Sequence, residues 1–368
     1  MRKFCLADKT VNSFVIAVYM PMMCWRNGVL VNWKNDDLFS IIRCQNFSRI
    51  DQTLLWGLGF LLILSCAFKS VEEVADAEGY VEGFYATSVN ERIEPLSTLF
   101  FNISKQIFDT PVGMFFFFAL VAISIRILGI IKNAAFIWAS VAIYLCQIFI
   151  LHDFIQIRAS VASAILLCSI APLYDRNLKL FLVMGVVATL FHYSAIIMFA
   201  FYLFNPIRIN KWIYGSVLLV CYSLAFCGLS LGYAAQFIPI PFVQHAFAAY
   251  ELTMATAGLE INILSWPQIM RCCIFLFLLF YYESIILHYK YTALLLKLYA
   301  VGLCSYVVFA DIPTFANRIS ELIFVFEILL FPVIAYVIHP RRVGLLVSLF
   351  IGFILLLVNI YHFELVPS

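Results

Sequence analysis

Long apolar stretches dominate the chain, broken at intervals by charge, proline or other turn formers. Runs near 11–25, 54–68, 112–131, 134–151, 157–172, 180–204, 212–232, 266–287, 292–310, 319–338 and 343–361 are separated in this way. A helix crosses a bilayer with about 20 mostly apolar residues, and helices satisfy their own backbone in hydrocarbon. The pattern predicts an all-α fold: a polytopic transmembrane helical bundle of about 10–11 apolar segments, forming a single membrane domain over 1–368.

Composition sharpens this picture. The chain is 64% hydrophobic and only 12% charged, against roughly 25% charged in soluble domains, which excludes a soluble globular enzyme. A net charge of +2 without a long Lys/Arg run gives no basic patch for nucleic acid. Eight cysteines, Cys66, Cys146, Cys168, Cys221, Cys227, Cys272, Cys273 and Cys304, fall in or beside apolar runs. No Cys-x-x-Cys spacing accompanies them, so they read as small packing residues and not as metal ligands. Arg2 and Lys3 precede the run from Val11 to Trp25 without a small-residue cleavage site, which predicts a short first span, not a signal peptide.

Lys and Arg in short loops mark the cytoplasmic side. Lys132, Arg176 with Lys179, Arg208 with Lys211, His288 to Lys290, Arg341 with Arg342 and the segment from Arg26 to Arg49 are assigned there. Segment 69–110 is instead an acidic outer loop, with Glu72, Glu73, Asp76, Glu78, Glu82, Glu91, Glu94 and Asp109 against Lys69, Arg92 and Lys105. A second outer loop is predicted over 233–265, which carries Glu251 and Glu260 and no Lys or Arg. Four apolar runs separate the outer Asp109 from the basic Arg208, where an odd number of crossings is required. The run 180–204 has basic flanks on both sides and His192 at its middle, so it is predicted to be re-entrant or broken there. The alternative places Arg208 and Lys211 outside.

Ionisable groups at membrane depth cost roughly 2.5 to 3.5 kcal/mol on insertion scales, so their default reading is functional. His152, Asp153, Gln156 and Arg158 cluster between two runs, and Ala159, Ser160, Ala162, Ser163 and Ala164 follow as a small-residue surface for close approach. Arg158 has the planar fork suited to phosphate; it could instead clamp structurally onto Asp153. His192 is a candidate proton carrier, or else a neutral imidazole bonded to a carbonyl. Asn317, Arg318 and Glu321 can share a helix face. Arg126, Arg271 and Glu283 lie near run ends and are expected to snorkel. The outer loop adds Lys69, Asp76, Tyr80 and the Glu94-Pro95 turn.

Taken in order, Lys69, Asp76-x-x-x-Tyr80, Glu94-Pro95, Gln156-x-Arg158-x-x-x-Ala162, Phe191-His192-x-Ser194-Ala195 and Asn317-Arg318 resemble the EpsG-like polysaccharide polymerases, relatives of the Wzy O-antigen polymerases. The likeness covers about residues 54 to 335. Lys69 departs from it, since the family tends to carry Arg there, and the stretch from Arg26 to Asp51 is long for the family's first connection. The resemblance implies a membrane glycosyltransferase of the bacterial inner membrane that joins oligosaccharide repeat units carried on undecaprenyl diphosphate, at the outer face. It needs no cofactor; a chain-length regulator or export complex are candidate partners. The residues suit that chemistry: His192, Asp76 and Glu94 as candidate catalytic bases, and Arg158, Arg318, Gln156, Asn317, Tyr80, Lys69 and Glu321 as candidate diphosphate or sugar contacts. Neither a Rossmann-type glycine loop nor a Walker lysine motif is present, which argues against a nucleotide-sugar donor. The rival reading is a transporter or flippase of lipid-linked sugars, although no internal repeat supports it. Membrane-impermeant thiol labelling of single-cysteine proteins, in a background stripped of native cysteines, checks the topology. Replacements at Asp76 and Glu251 are expected to be modified in intact cells, and replacements at Arg176 and Arg341 to be protected.

Overall fold

The computed structural model describes residues 48–72, 74, 76–85, 94–229 and 261–362, together with the dipeptides Trp25–Arg26 and Val29–Leu30. The chain divides into two compact units, Met1–Phe47 and Ser48–Ser368. In the first, the two dipeptides pair antiparallel, with Trp25 opposite Leu30. The rest of the predicted run 11–25 and most of the predicted outer loop 233–265 lie outside the described residues.

The second unit is helical, as the hydropathy pattern predicts. In chain order its main helices are α1 (Arg49–Ala67), α2 (Ala77–Tyr85), α3 (Pro95–Ile107), α4 (Pro111–Asn133), α5 (Ile137–Ile155), α6 (Ile157–Cys168) and α7 (Leu178–Phe191). A 3₁₀ segment, Tyr193–Leu203, follows. Then come α8 (Lys211–Phe226), α9 (Trp266–Phe280), α10 (Thr292–Val308), α11 (Pro313–Tyr336) and α12 (Arg341–His362). Local sequence explains the starts. Ser48 and Asp51 close a reciprocal capping box on α1, and Pro95, Pro111 and Pro313 open α3, α4 and α11 where a missing N–H costs nothing. Among the described residues five helices, α1, α4, α5, α11 and α12 through Val358, are long and apolar enough to cross a membrane; this is a multi-pass membrane protein.

Lipid supplies no hydrophobic drive between helices, so close packing and internal polar contacts hold them. The small face of α6 is buried throughout, from Ala159 to Ala164, and it lies along α4. Arg126 of α4 meets Ser160 and Ser163, and Asn133 donates to the Leu167 carbonyl at 2.9 Å, so the two helices run parallel. That requires α5 to return between them. Within α5 the turns from Tyr144 to Ile155 widen to π-helical winding, a rare form that concentrates at functional sites.

Arg126 does not snorkel. Its Nη2 donates to Asp153 Oδ1 at 3.2 Å, to the Ser160 carbonyl at 3.1 Å and to Ser163 Oγ at 2.9 Å, and Ser160 Oγ also donates to Asp153. Both charged side chains are wholly buried. Arg271 likewise turns inward, to Glu327, while Glu283 remains at the surface, 3.7 Å from Lys211. The sequence pattern places these groups near run ends, but it carries no information about a partner on another helix.

The run 180–204 folds back on itself. Helix α7 ends at His192, whose extended backbone (φ −155, ψ 115) turns the chain into the 3₁₀ segment. A Cβ on Gly185 would lie 2.8 Å from the Phe199 ring, so a larger residue there would push that ring and the second leg away. At the open end, Arg176 donates to the carbonyls of Tyr202 and Phe204, and Lys297 donates to those of Asn205 and Arg208, each at 2.6 Å. The legs contain 14 and 11 residues, about 21 and 22 Å at helical and 3₁₀ rises, and neither spans a core of about 30 Å. The contacts of Arg176 with Tyr202 and Phe204 bring entry and exit of the hairpin together. The predicted acidic loop 69–110 contains α2 and α3.

Replacing Arg126 with Leu strands the Asp153 carboxylate in the interior, where a broken buried pair costs about 3–5 kcal/mol. Thermal unfolding in detergent is expected to show this loss for Arg126→Leu and to show most of it recovered when Asp153→Leu is added.

Candidate active site

The apex of the hairpin meets the turn before α3. Proline confines its preceding residue to extended backbone, and Glu94 (φ −60, ψ 144) stands at the start of α3 without capping it through its side chain. The Glu94 carbonyl takes the Thr98 N–H at 2.9 Å, which leaves the carboxylate free to turn into the bundle. There Arg158 Nη1 donates to Oε2 at 2.5 Å, the Tyr193 N–H donates to Oε1 at 3.4 Å, and His192 Nδ1 lies 3.3 Å from Oε1. Ser97, one turn along α3, donates to the Phe191 carbonyl at 2.9 Å and pins the apex. Arg158 is the second residue of α6, immediately after the break at Gln156. Its guanidinium carbon lies 5.7 Å from the Tyr80 ring centroid.

Exposure is graded across this cluster: the Glu94 side chain is 5% accessible, His192 12% and Arg158 26%. The anion is the sealed member and the cation the open one. Burial by itself would raise the Glu94 carboxyl; the His192 contact and the Arg158 charge outweigh it and hold the group at about 2. Glu94 is thus a fixed anion at neutral pH, which orients its two partners. Burial also raises the Tyr80 phenol, against the opposing pull of Arg158.

A second arm begins two residues before Arg158. Gln156 Nε2 donates to Glu321 Oε2 at 3.3 Å, and His152 Nε2 lies 3.3 Å from the Glu321 carbonyl. Arg318 is exposed, near enough for its charge to act on Glu321, and its side chain makes no hydrogen bond or ion pair to a described residue. Asn317 is half-buried, its carbonyl accepting from Ser320 Oγ. Asp76 adopts the left-handed region (φ 63) at the start of α2, a conformation that Asp tolerates, and its charge reaches Lys69, Tyr80 and Glu321. Lys69 is buried. Its ammonium donates to the Phe154 carbonyl at 2.5 Å and sits 4.1 Å from the Phe115 centroid, and burial pulls it down to about 8. It anchors the end of α5, a role different from a phosphate contact.

The structure therefore joins Tyr80, Glu94, Arg158 and His192, sets Gln156 and Glu321 beside them, and leaves Asn317 and Arg318 on a rim. Asp153 belongs to Arg126, so the alternative of an Arg158–Asp153 clamp is replaced by the Arg158–Glu94 pair. Sequence reasoning missed Ser97 and Tyr299, and it read Arg271 as snorkelling where the structure pairs it with Glu327. A charged residue inside the run 266–287 was the available signal for Arg271.

The fold and this cluster define a polytopic helical membrane protein with a charged, partly open site inside its bundle. The EpsG family matches residues 53–367, and the chain belongs to that family, which is associated with polysaccharide biosynthesis. No curated protein and no solved structure matches the chain.

The depressed Glu94 carboxyl sets a pH window. Its folded-state value, about 2, lies below the ordinary 4.5, so its stabilising contribution is complete above about 4.5 and is lost as pH falls towards 2. Wild-type protein is expected to unfold at higher temperature than Glu94→Gln at pH 6 to 8, and the gap is expected to close progressively below pH 4.5.

Proposed function

We propose that the chain polymerises oligosaccharide repeat units carried on undecaprenyl diphosphate, at the outer face of the bacterial inner membrane, to build exopolysaccharide, capsule or O-antigen. The observation that carries this reading is the Glu94–Arg158–His192 cluster at the apex of the hairpin. A cation with an open edge stands beside an imidazole whose Nδ1 is turned to a carboxylate. Coupling needs both functions within one site. The acceptor hydroxyl attacks the anomeric carbon of the donor sugar as the bond from that carbon to the diphosphate oxygen breaks. The hydroxyl proton passes to His192 Nε2, and undecaprenyl diphosphate leaves with the bonding pair.

The residues divide this work by chemistry. Arg158 meets charge on the leaving diphosphate with its planar fork, and Arg318 offers a second cation on the rim. Glu94, 3.3 Å from His192 Nδ1, orients the ring so that Nε2 faces the acceptor, as a carboxylate does for a catalytic histidine. Asp76, exposed at the start of α2, is the alternative base. Gln156, Tyr80, Asn317 and Glu321 supply hydrogen bonds for sugar hydroxyls. A transporter of lipid-linked sugars needs the cations but not the base, and the His192–Glu94 contact favours the polymerase. A chain-length regulator or export complex would act on the product.

Purified protein supplied with a lipid-linked repeat unit is expected to produce a ladder of longer products. Arg158→Lys retains charge without the fork and is expected to lose most coupling at equal protein level. His192→Gln is expected to lower the coupling rate by about 10² to 10⁴, the usual contribution of a general base, and to remove the acid limb of its pH profile. Wild-type rate and profile in His192→Gln would move the base to Asp76.

A further inference from the structure

Outside the Glu94 cluster, the Arg271 guanidinium is held at one edge and one face while its two terminal nitrogens donate to no described residue. Arg271 lies five residues into α9. Its Nε donates to Glu327 Oε1 at 2.7 Å, and its guanidinium carbon stands 4.4 Å from the Phe324 ring centroid. The Tyr299 hydroxyl donates to the same Glu327 oxygen at 2.9 Å, and both Tyr299 and Glu327 are wholly buried. These contacts fix one edge and one face of the guanidinium. Its two terminal nitrogens donate to no described residue and are not among the sealed, unpartnered atoms, and 15% of the side chain is accessible.

A clamp between two helices would use the fork in full, as a bidentate pair with the carboxylate. Here only Nε is engaged, and Glu327 Oε2 is buried without a partner. Burying such an incomplete pair costs more than apolar packing would, whereas two N–H donors without a protein acceptor among the described residues, on a side chain that is partly accessible, suit a phosphate. The charges of Arg271 and Arg318 both act on Glu321, which Gln156 binds from the Arg158 side. Joining two lipid-linked units brings two diphosphates together, and Arg158 can hold one.

We propose that Arg271 is the principal cation of a second diphosphate subsite, with Arg318 on its rim, reached from Arg158 across the Gln156–Glu321 contact. This rests on the polymerase reading: one guanidinium holds the donor lipid and the other the acceptor. Tyr299 holds Glu327 Oε1, and the Glu327 charge competes with a bound anion for the Arg271 guanidinium, while the Oε1 acceptor alone suffices to hold Nε.

The test is equilibrium binding of farnesyl diphosphate, with inorganic pyrophosphate in a parallel arm, to full-length protein in detergent. Two sites are expected for farnesyl diphosphate. Arg271→Lys is expected to weaken one of them by about tenfold or more, the scale of a lost charge-assisted pair, and to leave the Arg158-dependent site intact. Glu327→Gln, which frees the guanidinium from its counter-charge, is expected to bind at that site at least as tightly as wild type. Equal weakening with pyrophosphate shows that the subsite reads the diphosphate alone; weakening with farnesyl diphosphate only shows that it also reads the lipid. Unchanged binding in Arg271→Lys overturns the proposal while the polymerase reading stands, and loss of both sites in wild type sinks that reading too. If Arg271→Lys does not fold, weaker binding in Glu327→Gln overturns the subsite.

Discussion

The contact between the Glu94 carboxylate and the Arg158 guanidinium joins three elements that share no backbone hydrogen bonds with one another as regular structure. Glu94 opens α3, Arg158 opens α6, and His192 turns the hairpin. A carboxylate only 5% accessible survives as an anion because a cation and an imidazole compensate the lost water. Removing either partner leaves a charge that the interior cannot solvate. The docking of the Glu94 turn on the hairpin apex and the placement of Arg158 with one edge open follow from that one requirement.

Membrane packing explains why so much of the remaining structure is polar where it could have been greasy. Helices in lipid gain little from apolar burial against each other. The bundle is tied instead by side chains that reach across it. Arg126 bridges Asp153 to the start of α6, Lys297 and Arg176 take four carbonyls at the open end of the hairpin, and Lys69 takes the Phe154 carbonyl. Several lie where regular backbone bonding lapses, so the free carbonyls of a broken helix become the sockets for these cations.

The breaks and the chemistry occupy the same places. α5 ends in widened turns at Gln156, α7 ends at His192, and the Glu94-Pro95 turn opens α3. Each break lets a polar side chain project into the bundle from a helix end, where a continuous helix would have offered only its flank. The family to which the chain belongs gives these features a shared setting in polysaccharide biosynthesis.

The apolar runs by themselves determined the class of protein, the rough bounds of most described helices, and the suspicion that 180–204 is broken at His192. Hydropathy and charge bias are local properties, and lipid enforces both. His192, Glu94 and Arg158 were also legible, because a charged or titratable residue in or beside an apolar run is costly wherever the chain goes. Their pairing was not. Glu94 and Arg158 are 64 residues apart, and nothing local distinguishes Asp153 from Glu94 as the partner of Arg158. Only the parallel packing of α6 on α4 gave Asp153 to Arg126. The same holds for Arg271, which reads as a snorkelling residue until α10 and α11 bring Tyr299 and Glu327 against it. Partners of buried charges are chosen by helices that meet in three dimensions, and the tertiary structure alone decides which helices meet.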